Sequence, residues 1–296
     1  MSSSQSGIIS YAERVYALSQ RVVKPYSSKY AKHTFTQPQL VSVLLLKPML
    51  KQRYRETEDL LDQMPGVLAA LELRSAPDFT TLCKAAKRLS SAVLALLVHL
   101  AAAALPYSGN ASIDATGFER RHASAHYVKR CGIEVRSMKT TLVVDTQTLM
   151  VLAVNMTAGR KHDSRIAPPL TIEAAERFLI RVMAGDKGYD FWLVRDLLRA
   201  AGIRPLIWHR EFGPRDVAYN AQFVSRDIHQ RSLSETVNSM LKRVFGCALL
   251  ARTWRGQVKE LLLILAAHNV RRGLLLIFVR MSTKPLFGIL STRGNL

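Results

Sequence analysis

The chain has 296 residues, 48% of them hydrophobic, with 42 Lys or Arg against 22 Asp or Glu, a formal net charge of +20 and a pI near 10.3. That is too apolar for a disordered basic tail, and enough to bury a sizeable core in one large or two modest domains. Three widely spaced cysteines (Cys83, Cys131, Cys247) with no CxxC pair exclude a disulfide scaffold and a Cys-based zinc site, and fit a reducing cytoplasm.

The first 36 residues are Ser-rich at the start and read as a loose arm with one helix around Tyr11–Val22. From Gln37 the apolar spacing turns helical, and Tyr54–Met64 makes another helix that Pro65-Gly66 ends. Asp78 is placed to cap a helix over Phe79–Leu89. Short helices with brief turns fit a helix-turn-helix arrangement or a plain helical bundle equally. An apolar helix follows over residues 92–105, after which the period changes to two. Ala111–Phe118 reads as a strand, and Thr140–Asp145 with Met150–Met156 as an antiparallel hairpin around Thr146-Gln147-Thr148.

Asp163–Phe178 reads as a helix entered through Pro168-Pro169, with His162-Asp163 a turn and Asp163 or Ser164 its cap. Ile180–Ala184 is a fourth strand, Phe191–Ala201 a helix closed by Gly202, and Ile203–Trp208 a fifth strand. A polar loop over 209–230 precedes a helix over Ser232–Phe245, and Gln257–Val279 is mainly helical. Antiparallel strands followed by alternating helices and strands make a mixed-sheet α/β pattern. The apolar stretches Ala92–Tyr107 and Leu261–Val279 carry His99, Pro106, His268, Asn269, Arg271 and Arg272, so both read as buried core helices and not as membrane spans.

The charge is concentrated. From Lys242 onward ten basic residues face the single acid Glu260, a net of +9, and Glu119–Lys139 holds six basic residues against two acids. Such a surplus on an apolar chain points to a polyanionic partner, nucleic acid ahead of a membrane surface. No GxxxxGK[ST] loop is present, so no nucleotide step is expected.

Three carboxylates stand out. Asp114 falls mid-strand between apolar neighbours, where a carboxylate is costly unless paired or metal-bound. Asp186 follows the fourth strand in a Gly-Asp-x-Gly turn, the strand end where α/β proteins build sites. Glu235 shares one helix face with Arg231, Asn238 and Lys242 at i, i+4, i+7 and i+11, opposite the apolar stripe Leu233, Val237, Met240, Leu241 and Val244.

In order and wording these stretches resemble the DDE transposases of bacterial insertion sequences. The matching segments are Ile113-Asp114-Ala115-Thr116-Gly117, Ala184-Gly185-Asp186-Lys187-Gly188-Tyr189 and the helix carrying Arg231, Glu235 and Lys242, supported by Gly159–Ser164 and Trp254–Arg272. The gap between Asp186 and Glu235 is 235 − 186 = 49 residues, similar to the short-spacer branch; Ile228 stands where the signature often has Tyr.

The resemblance implies an RNase H-like mixed sheet flanked by helices, with an all-helical N-terminal region. It divides the chain into an arm (1–36), a helical DNA-binding or dimerisation region (37–106), a catalytic core (107–250) and a basic helical segment (251–296). It further implies that Asp114, Asp186 and Glu235 hold two Mg²⁺ or Mn²⁺ ions that cleave DNA to a 3′-hydroxyl and join it to a target. Arg231, Lys242 and Lys187 would neutralise phosphates, and Trp254 would stack on a base. Expected partners are double-stranded DNA and further copies of the chain, in the cytoplasm at the nucleoid. The competing readings are a metal-dependent nuclease on the same fold and a DNA-binding remnant without catalysis.

Overall fold

The computed structural model describes residues 3–30, 32–120, 137–158, 161–223 and 225–283. Most of the basic run Glu119–Lys139, with Cys131, and the residues Gly159 and Arg160 lie outside the described residues, as does the side chain of Ile228.

Six helices open the chain: α1 (Ser3–Val22), α2 (Gln37–Leu50), α3 (Tyr54–Asp62), α4 (Pro65–Ala70), α5 (Phe79–Arg88) and α6 (Ser91–Ala102). The first is longer than its expected Tyr11–Val22 and is docked: Tyr11, Ala12, Val15 and Leu18, at helical spacing, are all buried. Thr36 and Gln39 close a reciprocal capping box on α2, and Asp78 caps α5 as expected. Pro65 does not simply end α3; it opens α4 at the first helical position, where its missing N–H costs nothing.

The sheet is built from β1 (Asn110–Glu119), β2 (Ser137–Asp145), β3 (Val151–Ala158), β4 (Val182–Gly185) and β5 (Arg204–Ile207), in the spatial order β3-β2-β1-β4-β5. The hairpin pairs antiparallel with β1, and β4 and β5 add on parallel, which is the mixed sheet expected. Between the strands run α7 (Asp163–Arg177), a short 3₁₀ turn (Lys187–Tyr189) and α8 (Trp192–Ala200), and after β5 come α9 (Pro214–Asn220), α10 (Ser225–Phe245) and α11 (Trp254–Thr283).

Three later helices also differ from the sequence expectation. Pro168 and Pro169 lie inside α7, not at its entry, and His162, not Asp163 or Ser164, is its N-cap. The loop expected over 209–230 contains α9, whose start is fixed by Asp216 accepting the N–H groups of Phe212 and Gly213. It also contains the first part of α10, which begins at Ser225 and not at Ser232.

Each face of the sheet carries its own core. One packs Leu142, Val144 and Phe118 against the N-terminal helices, α10 and α11, while the other packs Ile113, Val143 and Ala153 against α7 and α8. The alternation along β1 therefore decides everything near the site: Ser112 and Asp114 face α10, and Ile113 and Ala115 face α7.

By length and composition Trp254–Val279 could cross a membrane, yet 56% of its most apolar stretch is buried inside the fold. Its polar residues are structural. Asn269, fully buried, accepts from the Val151 N–H (2.8 Å) and donates to the carbonyls of Val151 (2.8 Å) and Val98 (3.0 Å), pinning α11 to β3 and α6. His268 donates to the Leu149 carbonyl at 2.9 Å, and Arg272 to that of Thr148 at 3.0 Å, which fixes the hairpin turn.

Burial pushes His268 down to about 4, and burial with the neighbouring Arg177 does the same to His99. Both rings are neutral in the fold, so between pH 6.5 and about 4 the unfolded chain binds protons that the folded chain refuses. Stability should fall as pH drops through that window and level off below it. The His268→Gln variant, which can donate the same hydrogen bond without titrating, should show a shallower fall in Tm; an unchanged slope would contradict the assignment.

Candidate active site

β1 and β4 run parallel with Ile113 opposite Gly185, so the next residues, Asp114 and Asp186, emerge side by side where the two strands part. Gly185 fits a tight spot there: a Cβ would come within 3.1 Å of the Ile113 side chain and 3.5 Å of both Ile207 and Tyr189. Asp186 turns the chain into the 3₁₀ segment by accepting the Lys187 N–H at 2.8 Å.

The third carboxylate arrives on α10. That helix is fastened to β1 by polar contacts set among apolar ones. Ser112 Oγ meets Ser234 Oγ at 3.0 Å, and Asn238 Nδ2 donates to Asp114 Oδ2 at 2.8 Å. Gly246, at a φ of +94°, ends the helix, and β1 ties down the segment after it through Glu119 N–H to Cys247 O (2.8 Å) and Leu249 N–H to Glu119 O (2.9 Å).

Arg231 closes the arrangement. One guanidinium nitrogen lies 2.7 Å from Asp186 Oδ1 and the other 3.9 Å from Glu235 Oε1. Among the described residues Asp114 receives no such cation. Its burial raises the carboxyl above the ordinary carboxylate range, and the charges of Glu235 and Asp186 add to the rise; the Ala115 N–H and Asn238 amide partly offset it. The three expected carboxylates thus come together at one end of the sheet. Asp114 and Glu235 line an open cleft of about 390 Å³ with Asn238, Ser239, Lys242 and Arg243.

The basic residues divide. Lys242 lines the cleft, and Arg243 joins it there. Lys187 instead pairs with Glu211 at 2.8 Å and lies over the Trp208 ring. Trp254, at the start of α11, packs against the core with the Arg120 guanidinium 5.5 Å from its ring centre, and does not line that cleft. Asn238 is the partner that sequence reasoning left without a role, although it lies one turn beyond Glu235 on the same face. Arg243 and the Ser112–Ser234 pair carried no signal short of the fold itself.

A sequence model of the transposase DDE domain matches residues 111–270, which run from β1 into α11 and hold all three carboxylates. The chain belongs to the transposase DDE domain family. Its fold is also similar to that of a piggyBac transposase in a synaptic complex with hairpin DNA, with a TM-score of 0.51 at 12% identity over 89% of this chain and 71% of that one. At that identity the likeness shows a shared fold.

DDE transposases are in general dependent on divalent metal, and the donor set here suits one: three hard carboxylate oxygen donors, with Asn238 Oδ1 buried and lacking a hydrogen-bond partner beside them. Among the described residues no group of three or more acidic, His or Cys side chains, these three carboxylates included, is placed to hold a metal ion as the side chains stand. Arg231 holds the position of positive charge between Asp186 and Glu235. Removing it in Arg231→Ala should therefore strengthen Mn²⁺ binding in the absence of DNA. The gain should be up to about fivefold, equivalent to the ~1 kcal/mol an exposed ion pair contributes. Titration of free Mn²⁺ by electron paramagnetic resonance reads this directly; unchanged or weaker binding would show that Arg231 is no competitor.

Proposed function

We propose that this DDE domain is the catalytic part of a transposase of the bacterial insertion-sequence type. In this reading it binds the ends of its element as a homodimer or higher oligomer, hydrolyses one phosphodiester to free a 3′-hydroxyl, and joins that hydroxyl to target DNA by transesterification. The observation that carries the reading is the meeting of Asp114, Asp186 and Glu235 from two parallel strands and one helix beside Lys242. The net charge of +20 supports a DNA partner.

Asp114, Asp186 and Glu235 would hold Mg²⁺ or Mn²⁺, two ions supplying an activated water and stabilisation of the leaving oxygen. Asn238 orients Asp114 by occupying one of its oxygens. Lys242 neutralises a phosphate near the scissile bond. Arg231 is held by carboxylates in the free protein and turns to phosphate when DNA enters. Lys187 would serve the same strand only after leaving Glu211, and Trp254 would stack on a base only where Arg120 leaves its ring open.

The regions 1–36 and 37–106 supply end recognition or dimer contacts, 107–250 the chemistry, and 251–296 further basic contacts. The protein would work in the cytoplasm, at the nucleoid.

The test is metal-dependent cleavage of a labelled duplex carrying the element's own end. Asp114→Asn, Asp186→Asn and Glu235→Gln should each lose cleavage by several orders of magnitude while still binding the duplex. Cleavage at the wild-type rate by any one of them would remove that residue from the chemistry.

A further inference from the structure

Around the sheet, cations are matched to acids. Lys139, Arg177, Lys187, Arg199 and Arg231 each lie 2.7–3.5 Å from a carboxylate oxygen. Five cations elsewhere are not. Lys84, Lys87 and Arg88 on α5, with Arg252 just before α11 and Arg255 in its first turn, are exposed and form no ion pair among the described residues. The neighbouring acids are spent on the backbone. Asp78 accepts the Thr80 N–H at 2.8 Å, and Glu58 the Phe79 N–H at 2.9 Å. Glu260, beside Lys259, accepts the N–H groups of Leu250 and Ala251 at 3.0 and 2.8 Å.

The fold joins the two basic segments, which are far apart in sequence. Lys259 Nζ donates to the carbonyls of Ala86 (3.3 Å) and Lys87 (2.7 Å) in the last turn of α5, where the helix dipole favours a cation. Arg255 stands one turn before Lys259, and Lys84 one turn before Arg88, each on the same helix face as its neighbour. The cations therefore follow one another from α5 across Lys259 to the start of α11. This run is rigid. Leu82 and Leu89 bury the inner side of α5, and the chain then bends by 92° into the core helix α6.

The run also stands apart from the carboxylates. The segment leading into Arg252 is tied to Glu119 by Cys247 and Leu249, five residues along β1 from Asp114 (119 − 114 = 5). At the usual rise of a strand that is about 17 Å, the length of roughly five base pairs of duplex.

We propose that this run is a docking surface for the duplex of the element's end, gripped by α5 and the start of α11 as one unit. Its chemistry is contact with phosphates by unpaired cations. A surface bolted to the helix behind the sheet holds a duplex at a fixed offset from the carboxylates, which a defined end requires and a variable target does not. The proposal rests on the transposase reading for the identity of that duplex.

Fluorescence anisotropy of the full chain with a labelled duplex of the element's end, measured across salt concentrations, tests it. Two double variants alter the surface, Lys84→Gln/Lys87→Gln and Arg252→Gln/Arg255→Gln. A third, Arg177→Gln/Arg199→Gln, removes the same charge from cations already paired with acids. Each surface variant should bind on the order of tenfold more weakly at roughly 0.1 M salt, with a salt slope shallower by about 2, one for each lost phosphate contact. The third should match the wild type. In hydroxyl-radical footprints both surface variants should lose protection on one contiguous stretch of duplex. Unchanged slopes, as an acidic protein occupant would give, overturn the surface, and so does an equal loss in the third variant. Protection lost at two separate stretches, or in one surface variant alone, overturns the joint grip. A wild type that binds the end and an unrelated duplex alike strikes at the transposase reading instead, while slopes on the unrelated duplex still judge the surface.

Discussion

A carboxylate on the central strand of a sheet is the constraint around which this structure is arranged. Asp114 lies half-buried on β1, with β2 on one side and β4 on the other. Burying that charge costs several kcal/mol unless something meets it. The fold meets it sparingly, with one backbone N–H and one amide of Asn238. Everything that brings Asn238 there follows from this need: the Ser112–Ser234 contact, the apolar stripe of α10 with Val237 and Leu241 fully buried, and the bridge from Glu119 to the segment after the helix. What remains is a carboxyl without a countercharge among the described residues, beside two further carboxylates. Such a site is unfavourable for the fold alone and favourable for binding a cation, a pattern expected where function and stability compete.

The same economy explains Arg231. Two acids at the exposed mouth would repel each other in the free protein, and one guanidinium spanning them relieves this at little cost. Because both acids are substantially exposed, the pairing is weak enough to be exchanged. Behind the site, α11 provides the rigid support. Asn269, His268 and Arg272 hold the β2–β3 turn and α6 to one helix.

Much of this was legible in the sequence, for physical reasons. Period-two alternation located the β1–β3 strands, and the i, i+4, i+7, i+11 spacing put Glu235 and Lys242 on one face. The parallel register that sets Asp186 beside Asp114 was implied by the order of strands and helices. The start of α10 was not legible, because Arg226, Asp227, His229 and Gln230 offer no apolar stripe to mark a helix. Nor was α9, seven residues in a polar stretch. The docking of α1 was written in the spacing of Tyr11, Val15 and Leu18, but polar serines around it masked the signal.

The central claim is that Asp114, Asp186 and Glu235 form one metal-binding centre that DNA completes. Crystals of the protein with DNA of the element's end and Mn²⁺ would test it most directly, through the anomalous signal of manganese. The account predicts manganese bound by oxygens of these three side chains, with Arg231 turned from Asp186 to a phosphate. Manganese bound elsewhere, or Arg231 still seated on Asp186 with metal and DNA both present, would contradict it.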